Sequence, residues 1–155
     1  MKILITTILF IFTSLTCIAS SVLYQGQERS DCFAGYSHAS DAVNCIHDKW
    51  NSSNNQLESL IKNTALEINN NQNYIDPFEN DSNNTKGDIY QKRFIESQKV
   101  WEKYKEAYCL ALLTPLDTDG FDYHPTLEQC EINMNKRRIE EINMMGETQP
   151  SLSAP

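Results

Sequence analysis

The chain has 155 residues, 40% of them hydrophobic, which is enough for one domain with a modest core and too little for two. Its formal charge is −8, and it becomes −9 without the leading stretch, whose only charge is Lys2. A surface this acidic disfavours nucleic acid, favours basic partners and also serves solubility.

Lys2, an apolar run from Ile3 to Ile18 and the small residues Ala19, Ser20 and Ser21 have the layout of an export signal over residues 1–19. The run is short for a membrane span and has no charged flank after it, so no span is expected once the signal is cleaved. Cys17 invites acylation only if an aliphatic residue stands three places before it, and Ser14 stands there. The expected product is a soluble periplasmic or secreted bacterial protein.

Export leaves Cys32, Cys45, Cys109 and Cys130, an even number suited to two disulfides in an oxidising compartment. Three pairings are possible. Cys32 with Cys45 and Cys109 with Cys130 are preferred because each closes a local loop, a constraint of about 3 kcal/mol each in the loop-entropy description. There is no C-x-x-C, and His38, His47 and His124 lack ligand spacing, so neither a metal nor another cofactor is expected.

Residues 20–31 show no period and are expected to form a flexible arm leading to Cys32. Ser40 or Asp41 can then cap a first helix over about residues 41–69, along which Val43, Ile46, Trp50, Leu57, Leu60, Ile61, Thr64 and Ile68 recur at helical steps. Asn51, Ser52, Asn54 and Asn55 weaken its middle by propensity, so it needs tertiary packing. Residues 69–88 are Asn-rich, with Pro77 and Gly87, and predict a long loop. Asn51, Asn80 and Asn83 each begin an N-x-S/T sequon, which carries meaning only in a eukaryotic secretory pathway.

The second helix, Tyr90 to Leu112, is the centre of the chain. Its wheel gathers Tyr90, Phe94, Trp101, Tyr104, Tyr108, Ala111 and Leu112 on one face, an aromatic stripe expected in the core. Gln98 and Lys105 sit within or beside that stripe and need hydrogen-bonding neighbours or a route to water. From Thr114 to Pro125 the chain reads as a turn region. Asp117 and Asp119 before Gly120 resemble a calcium loop, yet an EF-hand register would put Pro115 and Thr126 where carboxylates belong. A third helix is expected from Thr126, capped by Thr126 with Gln129 and carrying Leu127, Cys130, Met134, Ile139, Ile142 and Met145. Gly146 should end it, and residues 146–155 read as a disordered tail. The fold class is therefore all-α, an irregular antiparallel bundle of about three helices over residues 32–145, stapled by two disulfides.

The string SQKVWEKYKEAYC, Ser97 to Cys109, resembles the signature of the LprI-like lysozyme-inhibitor family, roughly A-Q-R-x-W-x-x-[YF]-R-x-x-x-C. Gln98, Trp101, Tyr104 and Cys109 match, with Lys99 and Lys105 at the two arginine places. Downstream, C-x-x-x-[LM]-x-x-x-R is met by Cys130, Met134 and Arg138. Upstream, the family's paired cysteines are met by Cys32 and Cys45, so the resemblance spans about residues 32–142. The family's D-x-x-L-N-x-x-Y keeps only Leu57 here, with Asn54, Glu58 and Ile61 at the other places. The signature residues Gln98, Trp101, Tyr104, Lys105 and Arg138 are expected to serve structure.

The resemblance implies an exported binding protein that inhibits a lysozyme-like peptidoglycan hydrolase. Such enzymes are typically basic, so an acidic inhibitor would be steered onto them. The expected contact is the turn region: Phe121 and Tyr123 as anchors, Asp117, Asp119 and Asp122 as charge. The alternative is a periplasmic interaction or immunity-type protein for another envelope partner or toxin. An enzyme is not expected: His47 beside Asp48, and Glu140 with Glu141, lack any nucleophile, metal or oxyanion arrangement.

Overall fold

A computed structural model of the chain describes residues 23–71 and 85–147. The expected signal over 1–19, most of the Asn-rich stretch and residues 148–155 lie outside that description. The described residues form four helices and no strand: α1 Gln27–Gly35, α2 Ala39–Asn70, α3 Lys86–Leu113 and α4 Tyr123–Glu147.

α1 corrects the expected arm. It is too short and too weakly amphipathic to announce itself by period, and it is held by tertiary contacts instead. Cys32, the one buried residue of α1, is bridged to Cys45 in the second turn of α2 and packs with Ile46 and Ile132. Cys109 near the end of α3 is bridged to Cys130 near the start of α4, so both expected pairings are present.

Helix ends also fall outside the expected bounds. α2 runs on through Asn69 and Asn70, and α3 opens at Lys86 behind a capping box in which Thr85 and Asp88 bond each other's backbone. The Asn-rich loop is shortened at both ends as a result. α3 stops where Pro115 denies the next backbone N–H. α4 begins at Tyr123 rather than Thr126. Pro125 fits in its first turn, where an N–H has no helical acceptor, and Thr126 N already donates to Asp122 O at 3.1 Å. The expected Thr126–Gln129 cap is therefore absent, and the Gln129 side chain turns toward α1.

Polar contacts set the directions of the helices. His47–Glu128, Trp50–Glu131 and Asn54–Asn135 all join α2 to α4 across the same interval of 81 residues, which requires parallel axes. Between α3 and α4 the partners run oppositely, Lys105 to Asn135 and Gln98 to Arg138, so α3 is antiparallel. The result is an up-down-up bundle with α1 laid across α2 and α4. Leu57, Ala65, Ile68, Phe94 and Ile142 form the main core cluster, and Cys109, Cys130 and Met134 a second. Because α2 and α4 are parallel, both disulfides, α1 and the α3–α4 turn gather at one end.

The aromatic stripe of α3 is rotated from its expected position. Phe94 is buried and Tyr90, Trp101, Tyr108 and Leu112 are half-buried, but Tyr104 and Ala111 face solvent. The buried line instead runs through Phe94, Gln98, Lys105, Cys109 and Leu113. Gln98 and Lys105 tolerate this because α4 supplies their partners.

Candidate functional site

Four of the five signature residues converge on one seam. Gln98, Trp101 and Lys105 lie at successive turns of one α3 face, and Arg138 faces them from α4. The Arg138 Nε donates to Gln98 Oε1 at 2.8 Å, and Gln98 Nε2 donates back to Phe94 O at 3.2 Å and Ser97 Oγ at 3.0 Å. The Trp101 ring receives two cations, with the Lys105 Nζ 5.4 Å and the Arg138 guanidinium 5.7 Å from its centroid. The Lys105 ammonium also donates to Asn135 Oδ1 at 3.2 Å. Tyr104 stands apart: it is 54% exposed and packs on Tyr108, ring centroids 5.5 Å apart.

Asn135 escaped the sequence reading, although it is fully buried. Its amide donates to Ser53 Oγ at 3.1 Å and Asn54 Oδ1 at 2.8 Å, so one side chain ties α4 to both α2 and α3. The available signal was a polar residue on the apolar face of α4, one position after Met134 and seven before Ile142. Among the described residues no three His, Cys, Asp or Glu side chains converge to hold a metal.

The expected contact residues lie at the stapled end. Asp117 and Asp119 are exposed and make no ion pair among the described residues. Gly120 N donates to Asp117 O at 2.9 Å, which tightens the turn between them. Phe121 is 53% exposed, with its ring edge-on to Phe33 of α1 at 6.0 Å. The exposed Asp122 carboxylate reaches across to α1, where it accepts from Arg29 at 2.7 Å. Tyr123 is half-buried as the first residue of α4 and packs edge-on to His124.

α1 braces this turn from below. The Arg29 N donates to Gln129 Oε1 at 2.7 Å, and Gln129 Nε2 donates to Glu28 at 3.0 Å. Asn133 donates to the carbonyls of Leu23 and Gln25 at 2.7 and 2.9 Å, and Lys136 pairs with Glu28. Burial pushes the Glu28 carboxyl upward, but hydrogen bonds from Lys136 and Gln129 outweigh it and hold the group below its ordinary range.

The family model described as Lysozyme inhibitor LprI matches residues 32–142. The chain belongs to the LprI family. The matched span opens at Cys32 and ends at Ile142, so it takes in both disulfides and the whole LprI signature seam. It also takes in the α3–α4 turn, but not the segment before Cys32 that braces it. Comparison with curated proteins and with solved structures found no match.

Proposed function

We propose that this LprI-family protein is exported and inhibits a lysozyme-like peptidoglycan hydrolase. The match of the lysozyme-inhibitor family over residues 32–142 carries the reading. An LprI domain is an inhibitor by family rather than a catalyst, and two disulfides fit an oxidising compartment outside the cytoplasm. No described helix is long and apolar enough to cross a membrane.

The proposed docking surface is the stapled end. Phe121 offers an exposed ring on a braced turn, while Asp117 and Asp119, which make no ion pair among the described residues, offer carboxylates to a basic partner. Asp122 and Tyr123 form the base of the surface, because Asp122 is paired with Arg29 of α1 and Tyr123 is half-buried at the start of α4. A turn fixed by neighbouring bonds loses little freedom on docking.

The test is loss of turbidity of a peptidoglycan suspension under a basic lysozyme, with and without the oxidised protein, at low and physiological salt. Inhibition that saturates near one-to-one and weakens with salt is the expected result. No inhibition by a protein verified as helical and fully bridged would shift the reading to a different envelope partner.

A further inference from the structure

Beside the signature seam, α2, α3 and α4 enclose an open cleft of about 700 Å³ that the docking surface does not use. Two walls are indole rings. Trp50 comes from α2 and is fixed by its Nε1–H bond to Glu131 at 2.7 Å, and Trp101 comes from α3. These are the only tryptophans in the chain.

Lys105 lines the cleft although its residue is only 8% exposed. Its ammonium has three N–H donors, and its hydrogen bond is to one neutral acceptor, Asn135. No carboxylate lies within ion-pair distance of it among the described residues. A buried cation without a counter-anion is an incomplete arrangement, and an incoming carboxylate completes it.

The rim has the opposite character. Glu58, Glu102 and Glu106 are exposed there and make no ion pair among the described residues, against one further cation, Lys99. The rim thus favours a positive group at the mouth, and the indoles favour an aliphatic or flat body between mouth and floor.

We propose that the cleft binds a small zwitterion, an amino acid or short peptide, with its carboxylate on Lys105, its ammonium at the glutamate rim and its body against Trp50 and Trp101. This site is independent of the docking turn. A free carboxylate and a free ammonium are both required.

Because both tryptophans line the cleft, intrinsic tryptophan emission follows its occupancy, and the blocked ligands and the variants separate that from a change elsewhere in the bundle. The full chain is titrated with alanylalanine, its C-terminal amide, its N-acetyl form and a neutral disaccharide. A saturating emission change with alanylalanine is expected, and each blocked form should bind about tenfold or more weakly, the scale of one charge-assisted hydrogen bond. Lys105→Met should abolish the preference for the free carboxylate over the amide. Glu102→Gln with Glu106→Gln, two exposed changes that leave the core intact, should abolish the preference for the free ammonium, and this pair carries the test if Lys105→Met does not fold. No emission change with alanylalanine, equal binding of the amide, or an equal response to the disaccharide would each overturn the proposal.

Discussion

The Lys105 ammonium donates to Asn135 Oδ1 at 3.2 Å inside the bundle, a charged side chain on α3 held by a neutral one on α4. Asn135 spends its two N–H groups on α2, so every polar atom of its side chain is committed to a different segment. Asn135→Leu should therefore destabilise the fold by about 3 kcal/mol or more, since it strands a buried cation and removes the link to Ser53 and Asn54. Lys105→Met should cost about 1–3 kcal/mol by leaving one acceptor unfilled. In the double variant the loss should be smaller than the two losses added, as read by urea unfolding in a double-mutant cycle.

Gly26 is required by a close approach rather than by its backbone, which is extended. A Cβ there would stand 2.3 Å from Gln129 Nε2 and 2.6 Å from its Cδ. Gln129 is fully buried and bonded to Arg29 N and Glu28, so moving it breaks those bonds. Gly26→Ala should cost about 1–3 kcal/mol and loosen α1 first. Limited proteolysis should then cut within residues 23–35 while the three long helices stay protected.

Acid should act on the same α1–α4 contact. The Glu28 carboxyl lies below its ordinary value of 4.5 in the fold, so its contribution is complete above that value and is lost as pH falls through the lowered one. Amide exchange in α1 should rise over that acidic range, ahead of α2–α4. Glu28→Gln should remove the pH dependence while keeping α1 less protected at neutral pH.

The aspartates of the turn should separate by role. Asp117→Asn with Asp119→Asn should leave the melting temperature unchanged and slow association with a basic lysozyme, with the difference vanishing at high salt. Asp122→Asn should instead weaken the Arg29 contact and lower stability modestly, about 1 kcal/mol or less for a pair this exposed. Stopped-flow binding beside thermal melts distinguishes the two. Equal association rates for the wild type and the paired variant would remove the turn from the docking surface.

Replacing Cys109 and Cys130 by Ala opens a loop of separation 21 and should cost about 3–4 kcal/mol, slightly more than the loss of the Cys32–Cys45 bridge of separation 13. The second change should act chiefly on α1. Calorimetry of the two paired variants checks the order.

The three long helices were legible because apolar residues at three- and four-residue steps leave few alternatives. Of the three possible disulfide pairings, the one present is the one that short loops favour. α1 was illegible because Cys32 is its one buried side chain, and its anchors, Gln129 and Asn133, lie about a hundred residues away. The start of α4 was misread because Thr126 and Gln129 match a cap in sequence, while Gln129 is claimed by α1. The rotation of the α3 stripe was hidden for a related reason: Gln98 and Lys105 look unsuited to burial until Arg138 and Asn135 are known to face them.

Both bridges lie at one end of the bundle, and the far end, where α2 finishes, α3 starts and α4 reaches Glu147, has no disulfide among the described residues. Thermal opening then has a preferred direction, with α4 parting from the chain-linked α2 and α3 at the unbridged end around a fixed pivot. Reduction of the bridges would remove the pivot and leave the chain to open from either end. Under oxidising conditions the turn that carries Phe121 sits at the pivot, so a partner held there would stay bound while the opposite end frays and recloses.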